Sequence, residues 1–143
     1  MDQYTTALLN ALLQKLGEEF SDNCVLMVFS GPVPATAYAA TGSATHLITY
    51  SDAGTGDPLR FDSPANAMMA KDPLQTWSGD ALASGSGTFF RIVQLGDDGE
   101  SAVDPDVVLR YQGTIGVVNS TWNTNKTYTM GNPDSIDQFF WVI

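Results

Sequence analysis

Residues 83–95 read A-S-G-S-G-T-F-F-R-I-V-Q-L, and the fold turns on them. Five small residues, Ala83 to Gly87, run directly into a segment carrying Phe89, Phe90, Ile92 and Val93. Successive side chains of a strand alternate between faces, so consecutive apolar residues make both faces hydrophobic. Such a strand lies between two layers or meets another subunit. The small residues before it let a second backbone come close. The remaining question is what covers each face.

One cover is an N-terminal helix over residues 2–20. Leu8, Leu9, Leu12, Leu13, Leu16 and Phe20 recur at helical spacing, with Asn10, Gln14, Lys15 and Glu18 on the other side. Asp2 reads as its N-cap, and Gly17 weakens its last turn. The stripe is wide enough to pack on a sheet, and a stripe of this kind also docks partner subunits. Residues 24–30, C-V-L-M-V-F-S, form a second strand that is apolar on both faces. The helix is its natural cover.

Elsewhere the chain alternates short strands with Gly, Pro, Asp and Asn punctuation. Gly31-Pro32-Val33-Pro34 ends the first strand, and the Ala/Thr-rich stretch to Ala44 reads as an extended loop. Strands are expected at 45–50, 59–61, 67–70, 74–77, 88–95, 107–118, 127–130 and 136–143. The clearest period of two is in 107–118. Val107, Leu109, Tyr111, Ile115 and Val117 point one way and Arg110, Gln112 and Thr114 the other, with Gly113 and Gly116 inviting a bulge or bend. Gly131 to Asp134 reads as a turn. The expected class is mainly β: an antiparallel β-sandwich or jelly roll over 24–143 with the helix packed on it, in a single domain spanning 1–143.

Composition narrows the function. The 143 residues are 43% hydrophobic, enough for a packed core. Sixteen acidic residues face six scattered cations, for a formal net charge of −10. That balance disfavours partners held through phosphates, whether nucleic acid or anionic lipid. Cys24 is the lone cysteine and reads as a buried structural thiol. The start M-D-Q-Y has no basic region ahead of an apolar core, and no apolar run approaches the ~18 residues of a membrane span, so a cytoplasmic protein is expected. Without a secretory signal, the glycosylation patterns at Asn119 and Asn125 mean little.

No reaction is visible. His46 is the sole imidazole, so a hydrolytic triad has one candidate base, and a packed histidine sharing a face with Ile48 and Tyr50 is the better reading. One Cys and one His cannot build a zinc site. Asp97, Asp98, Glu100, Asp104 and Asp106 cluster, but without Ca²⁺-loop spacing they read as a solvated turn. Catalytic, cofactor and metal residues are therefore expected to be none. Trp77 and Trp122 sit beside polar turn residues, as a sugar-stacking platform would, and are candidate glycan contacts. The C-terminal F-F-W-V-I is apolar on both faces. Phe139, Phe140 and Trp141 join Phe89 and Phe90 as candidate interface residues.

One family likeness runs through nearly the whole chain. After the N-terminal helix come S-G-P-V-P-A-T-A (30–37), A-A-T-G (39–42), A-S-G-S-G-T-F-F-R (83–91), G-T-I-G (113–116) and I-D-Q-F (136–139). In this order the chain resembles a group of small structural proteins of tailed bacteriophages and prophages. The resemblance implies a virion component without catalytic residues, made in the host cytoplasm. Within that class the favoured reading is a capsid decoration or cement protein that bridges capsomers. Its partners would be the major capsid protein or other virion subunits and further copies of itself, with neither nucleic acid nor membrane. A tail, neck or baseplate module is the alternative, and a carbohydrate-binding attachment module the second.

Overall fold

The computed structural model describes residues 3–116 and 120–142. It is mainly β, antiparallel-rich, with one helix packed on the sheet. Helix α1 (Thr6–Phe20) is capped by Thr5, whose hydroxyl accepts the Leu8 amide at 3.2 Å. Asp2, expected as the cap, lies outside the described residues. Strand β1 (Cys24–Ser30) is central. It pairs antiparallel with β2 (Thr45–Asp52) on one side and with β6 (Phe89–Gln94) on the other. Beyond β2 lie β4 (Trp77–Asp80) and β10 (Pro133–Ile136); beyond β6 lie β7 (Arg110–Gly116) and β8 (Trp122–Asn123), making seven strands. Two small pairs complete the fold. Strand β3 (Met69–Ala70) pairs with β11 (Phe140–Trp141), and β5 (Gly85–Ser86) with β9 (Thr127–Tyr128).

The alternation of β1 and β6 divides the core in two. Leu26 and Val28 join Phe90 and Ile92 on one face, with Ile48, Tyr50, Trp77, Phe139 and Trp141. Leu13 and Phe20 of α1 enter this larger cluster, and the Phe20 and Trp141 rings lie 5.4 Å apart. Val25, Met27, Phe29, Phe89 and Val93 form the cluster on the opposite face. The expected two-faced strands are thus observed, and the helix covers part of one face only.

The second face is closed by the chain's own loops, and Arg91 holds them there. Its side chain is fully buried. Nη1 donates to the Gly99 carbonyl (2.8 Å), Nη2 to Ala39 (2.8 Å) and Thr36 (3.4 Å), and Nε to Gln112 Oε1 (3.0 Å). Gln112 in turn donates to Pro34, and Arg110 to Ala37. Segment 31–44 offers carbonyls with no strand partner, and guanidinium and amide donors of β6 and β7 satisfy them.

The small residues before β6 serve as expected. The Gly87 amide donates to the Lys126 carbonyl at 2.9 Å, and a Cβ there would lie 2.9 Å from Val28 Cγ1. Gly113 makes no bulge, because the β6–β7 register runs unbroken through Phe90↔Gly113. It is glycine because the Phe90 ring lies over it. A Cβ would sit 2.6 Å from that ring and 2.8 Å from Thr121 Cγ2. Gly113→Ala is expected to cost about 1–3 kcal/mol by overpacking, read as a lower urea midpoint with an unchanged slope.

Several boundaries differ from the pattern reading. Residues 59–61 are not a strand: Leu59 closes the end of β1 through its backbone, and Phe61 forms one bridge, to Lys71. Residues 72–75 are a turn held by Asp72, which moves the strand expected at 74–77 on to Trp77–Asp80. Pro133 and Asp134, read as part of a turn, open the edge strand β10, whose first residue is a proline that needs no ladder donor. Residues 136–143 are not one strand, since β10 ends at Ile136 and β11 begins at Phe140. Val117, Val118, Asn119 and Ile143 lie outside the described residues.

Candidate functional site

Helix α1 carries more apolar surface than the core takes up. Leu13 and Phe20 turn inward, while Leu8 and Leu12 remain outside, Leu12 with 43% of its surface exposed. Beside the helix stands Leu109, which leads into β7 and is 41% exposed. Between them lies a groove of about 490 Å³, lined by Leu12, Lys15, Leu16, Glu19, Phe20 and Leu109. Gln94 fixes the groove wall by donating from Nε2 to the Glu19 carbonyl at the helix end, 3.0 Å away. The groove is a place for apolar side chains; it holds no convergent acid, base or nucleophile.

The acidic cluster is engaged internally. Asp97 receives two hydrogen bonds from Arg110, Nε to Oδ2 and Nη2 to Oδ1, both 2.6 Å, in a nearly buried pair. Burial works to raise the Asp97 pKa, but the Arg110 hydrogen bonds and the Gly99 amide hold it below the ordinary carboxylate value. Asp98 accepts from the Ser101 hydroxyl and the Ser101 and Glu100 amides, which bring it down to about 2. Asp104 accepts the Asp106 amide. Among the described residues no three His, Cys, Asp or Glu side chains are placed to hold a metal ion.

His46 is not on the face of Ile48 and Tyr50. The β1–β2 register shifts between Val28 and Phe29, so His46 pairs with Phe29 and stacks on its ring at 5.1 Å, on the second face. Its Nε2 lies 2.8 Å from Thr49 Oγ1 and 3.1 Å from the Ile48 carbonyl. Burial lowers its pKa, opposed by the charge of Glu100 and by the Ile48 carbonyl. Cys24 is buried, and desolvation pushes its thiol up to about 12. A second polar cluster joins β2, β9 and β10. The Tyr50 hydroxyl donates to Asp134 (2.5 Å) and lies 2.7 Å from that of Tyr128, while Lys126 donates to the same carboxylate at 2.8 Å. Burial raises both phenols, Tyr128 to about 12, so neither is a base near neutrality.

These groups set a pH profile. Asp97 and Asp98 have folded pKa values below the unfolded value of about 3.9, so their contribution is full above pH 4 and is lost as pH falls through the folded values. The His46 pKa is lower in the folded state, so the unfolded chain binds its proton first and stability declines as pH falls below about 6.5. Thermal melts from pH 8 to 2 are expected to show a shallow decline below 6.5 and a steep one below 4. His46→Gln should remove the first, and Asp97→Asn should flatten the second.

The candidate aromatic residues fall into different places. Phe89, Phe90, Phe139 and Trp141 are buried in this chain's own two clusters, so they cannot touch a partner while the core is closed. Phe140 alone of the five is exposed. Trp77, proposed as a glycan contact, is fully buried and donates from Nε1 to Gln75 Oε1 at 3.0 Å. Trp122 is half-buried, with its ring against Phe90 and Phe139 at 5.7 and 5.4 Å. The two indoles form no common platform. Leu12 belongs to the helix stripe read as packing on the sheet, with partner docking as the alternative, whereas Leu109 was read only as a strand residue.

In comparisons with known proteins, the chain matches no family model, no curated protein and no solved structure.

Proposed function

We propose that this chain is a structural component of a tailed-phage particle, of the capsid decoration or cement type, acting by adhesion and without turnover. The observation that carries this reading is the apolar groove beside α1, exposed on an acidic domain whose sheet faces are otherwise covered by its own helix and loops. A domain covered in this way keeps its shape when it adds to a surface, and many copies with modest contacts stabilise a lattice by multivalency. The ionisable clusters support the same reading, since Asp97 with Arg110 and Asp134 with Lys126 tie strands and loops together. The partners on this reading are the major capsid protein or another virion subunit.

Mass spectrometry and cryo-electron microscopy of particles made by the encoding genome test it. The expected result is a high copy number with density on the head lattice. Density confined to tail, neck or baseplate would replace it with the tail reading, and absence from purified particles would overturn both.

A further inference from the structure

We infer that the surface formed by α1 and residues 107–109 binds a segment of a different polypeptide, apolar at one end and basic at the other. The inference rests on the adhesion reading and adds the docking surface and the chemistry of its partner. The apolar end is the groove of Leu12, Leu16, Phe20 and Leu109. A second depression, about 440 Å³, is lined by Leu95, Val107 and Val108 with the carboxylates Asp97 and Asp98. The two are neighbours: Leu109 of the first follows Val108 of the second in the chain, and Gln94 of the second donates to the Glu19 carbonyl of the first. Side by side they present an apolar site at the helix and an acidic one at the turn.

Charge selects the occupant. Arg110 is committed to Asp97 through two short hydrogen bonds and lies 3.7 Å from Asp98, whose side chain is 57% exposed. Asp98 stays ionised through the whole physiological range and is open to a cation from outside. Glu19, 43% exposed, lies at the helix rim with Lys15 at 3.9 Å. A second copy of this chain would bring another formal charge of −10 to the contact, which like-charge repulsion opposes. An apolar segment ending in lysine or arginine gains both burial and charge pairing.

The probe is a fluorescein-labelled 16-residue peptide with leucines at helical spacing followed by two lysines, compared with the same peptide carrying two glutamates. Fluorescence anisotropy should show the basic peptide binding wild-type protein, more weakly as salt is raised. Leu12→Gln and Leu109→Gln, both at exposed positions, should each weaken binding by about tenfold while leaving Tm unchanged, as expected when a leucine loses a burial partner. Asp98→Asn should cost about threefold, the scale of an exposed charge pair. No binding of the basic peptide, equal binding of the acidic one, or indifference to Leu12→Gln would overturn the inference. So would a wild-type dimer in sedimentation that Leu12→Gln dissolves, which would make a second copy the occupant. The peptide assay uses no particles, so absence of the chain from virions would defeat the virion reading separately.

Discussion

Arg91→Ala is expected to destabilise the protein by about 3–5 kcal/mol, since several enclosed neutral acceptors lose their donor at about 1–3 kcal/mol each. At about 2–4 °C per kcal/mol for a chain near this size, the melting temperature should fall by roughly 10 °C. The cause is specific. The guanidinium closes the second face of the sheet by donating to Gly99, Ala39, Thr36 and Gln112, and alanine leaves those acceptors enclosed without donors. Lysine should not restore them, because one ammonium cannot reproduce the planar fork that reaches acceptors on two loops and a strand. The loss should be local before it is global. In hydrogen exchange, the amides of Thr41, bonded to Glu100, and Val103, bonded to Tyr38, should lose protection ahead of those in β1. Unchanged protection over 31–44 in Arg91→Ala would show that the loop closes the face without Arg91.

Trp77→Ala is expected to cost about 4 kcal/mol, in the range for deleting a buried indole. The ring is fully enclosed, with Phe61 edge-on at 5.2 Å and Phe139 at 5.8 Å, and Lys71 Nζ 5.9 Å from its centre. Its N–H also holds Gln75 Oε1, which accepts the Arg60 amide, while Gln75 Nε2 donates to the Pro58 carbonyl. Trp77→Phe keeps most of the packing and loses the indole hydrogen bond, so about 1–2 kcal/mol is expected. Urea unfolding followed by circular dichroism measures both. A glycan-contact role predicts the opposite pattern, an unchanged midpoint for Trp77→Ala with lost sugar binding, and a midpoint unchanged within error would contradict the core assignment.

The central strands were legible because their residues leave no choice. Every position from Cys24 to Phe29 is apolar, so both faces needed cover, and both clusters are observed. What covers the second face was not legible. Nothing in F-F-R-I-V marks its arginine as a tie to distant loops, and only the fold brings the Thr36 and Ala39 carbonyls, more than 50 residues away in sequence, onto its nitrogens. The face of His46 was misread because one extra residue in a ladder reverses the alternation beyond it, and strand composition does not reveal a bulge. The C-terminal F-F-W shows the limit of two-faced reasoning. Phe139 precedes β11 and turns its ring into the main core beside Phe90, so Phe140 alone is left facing outward. The apolar groove was half legible: the helix stripe was read as packing on the sheet with docking as the alternative, but the second wall, Leu109, comes from a strand lead-in that sequence places nowhere near the helix.

Adhesion to heads is the most direct test of the proposed function. Under the proposed capsid role, heads that carry the chain are stripped of it, supplied again with purified chain, and followed by sedimentation and by genome release on heating. Saturable rebinding with a higher release temperature is the expected result. Heads that neither take up the chain nor gain heat resistance would contradict it.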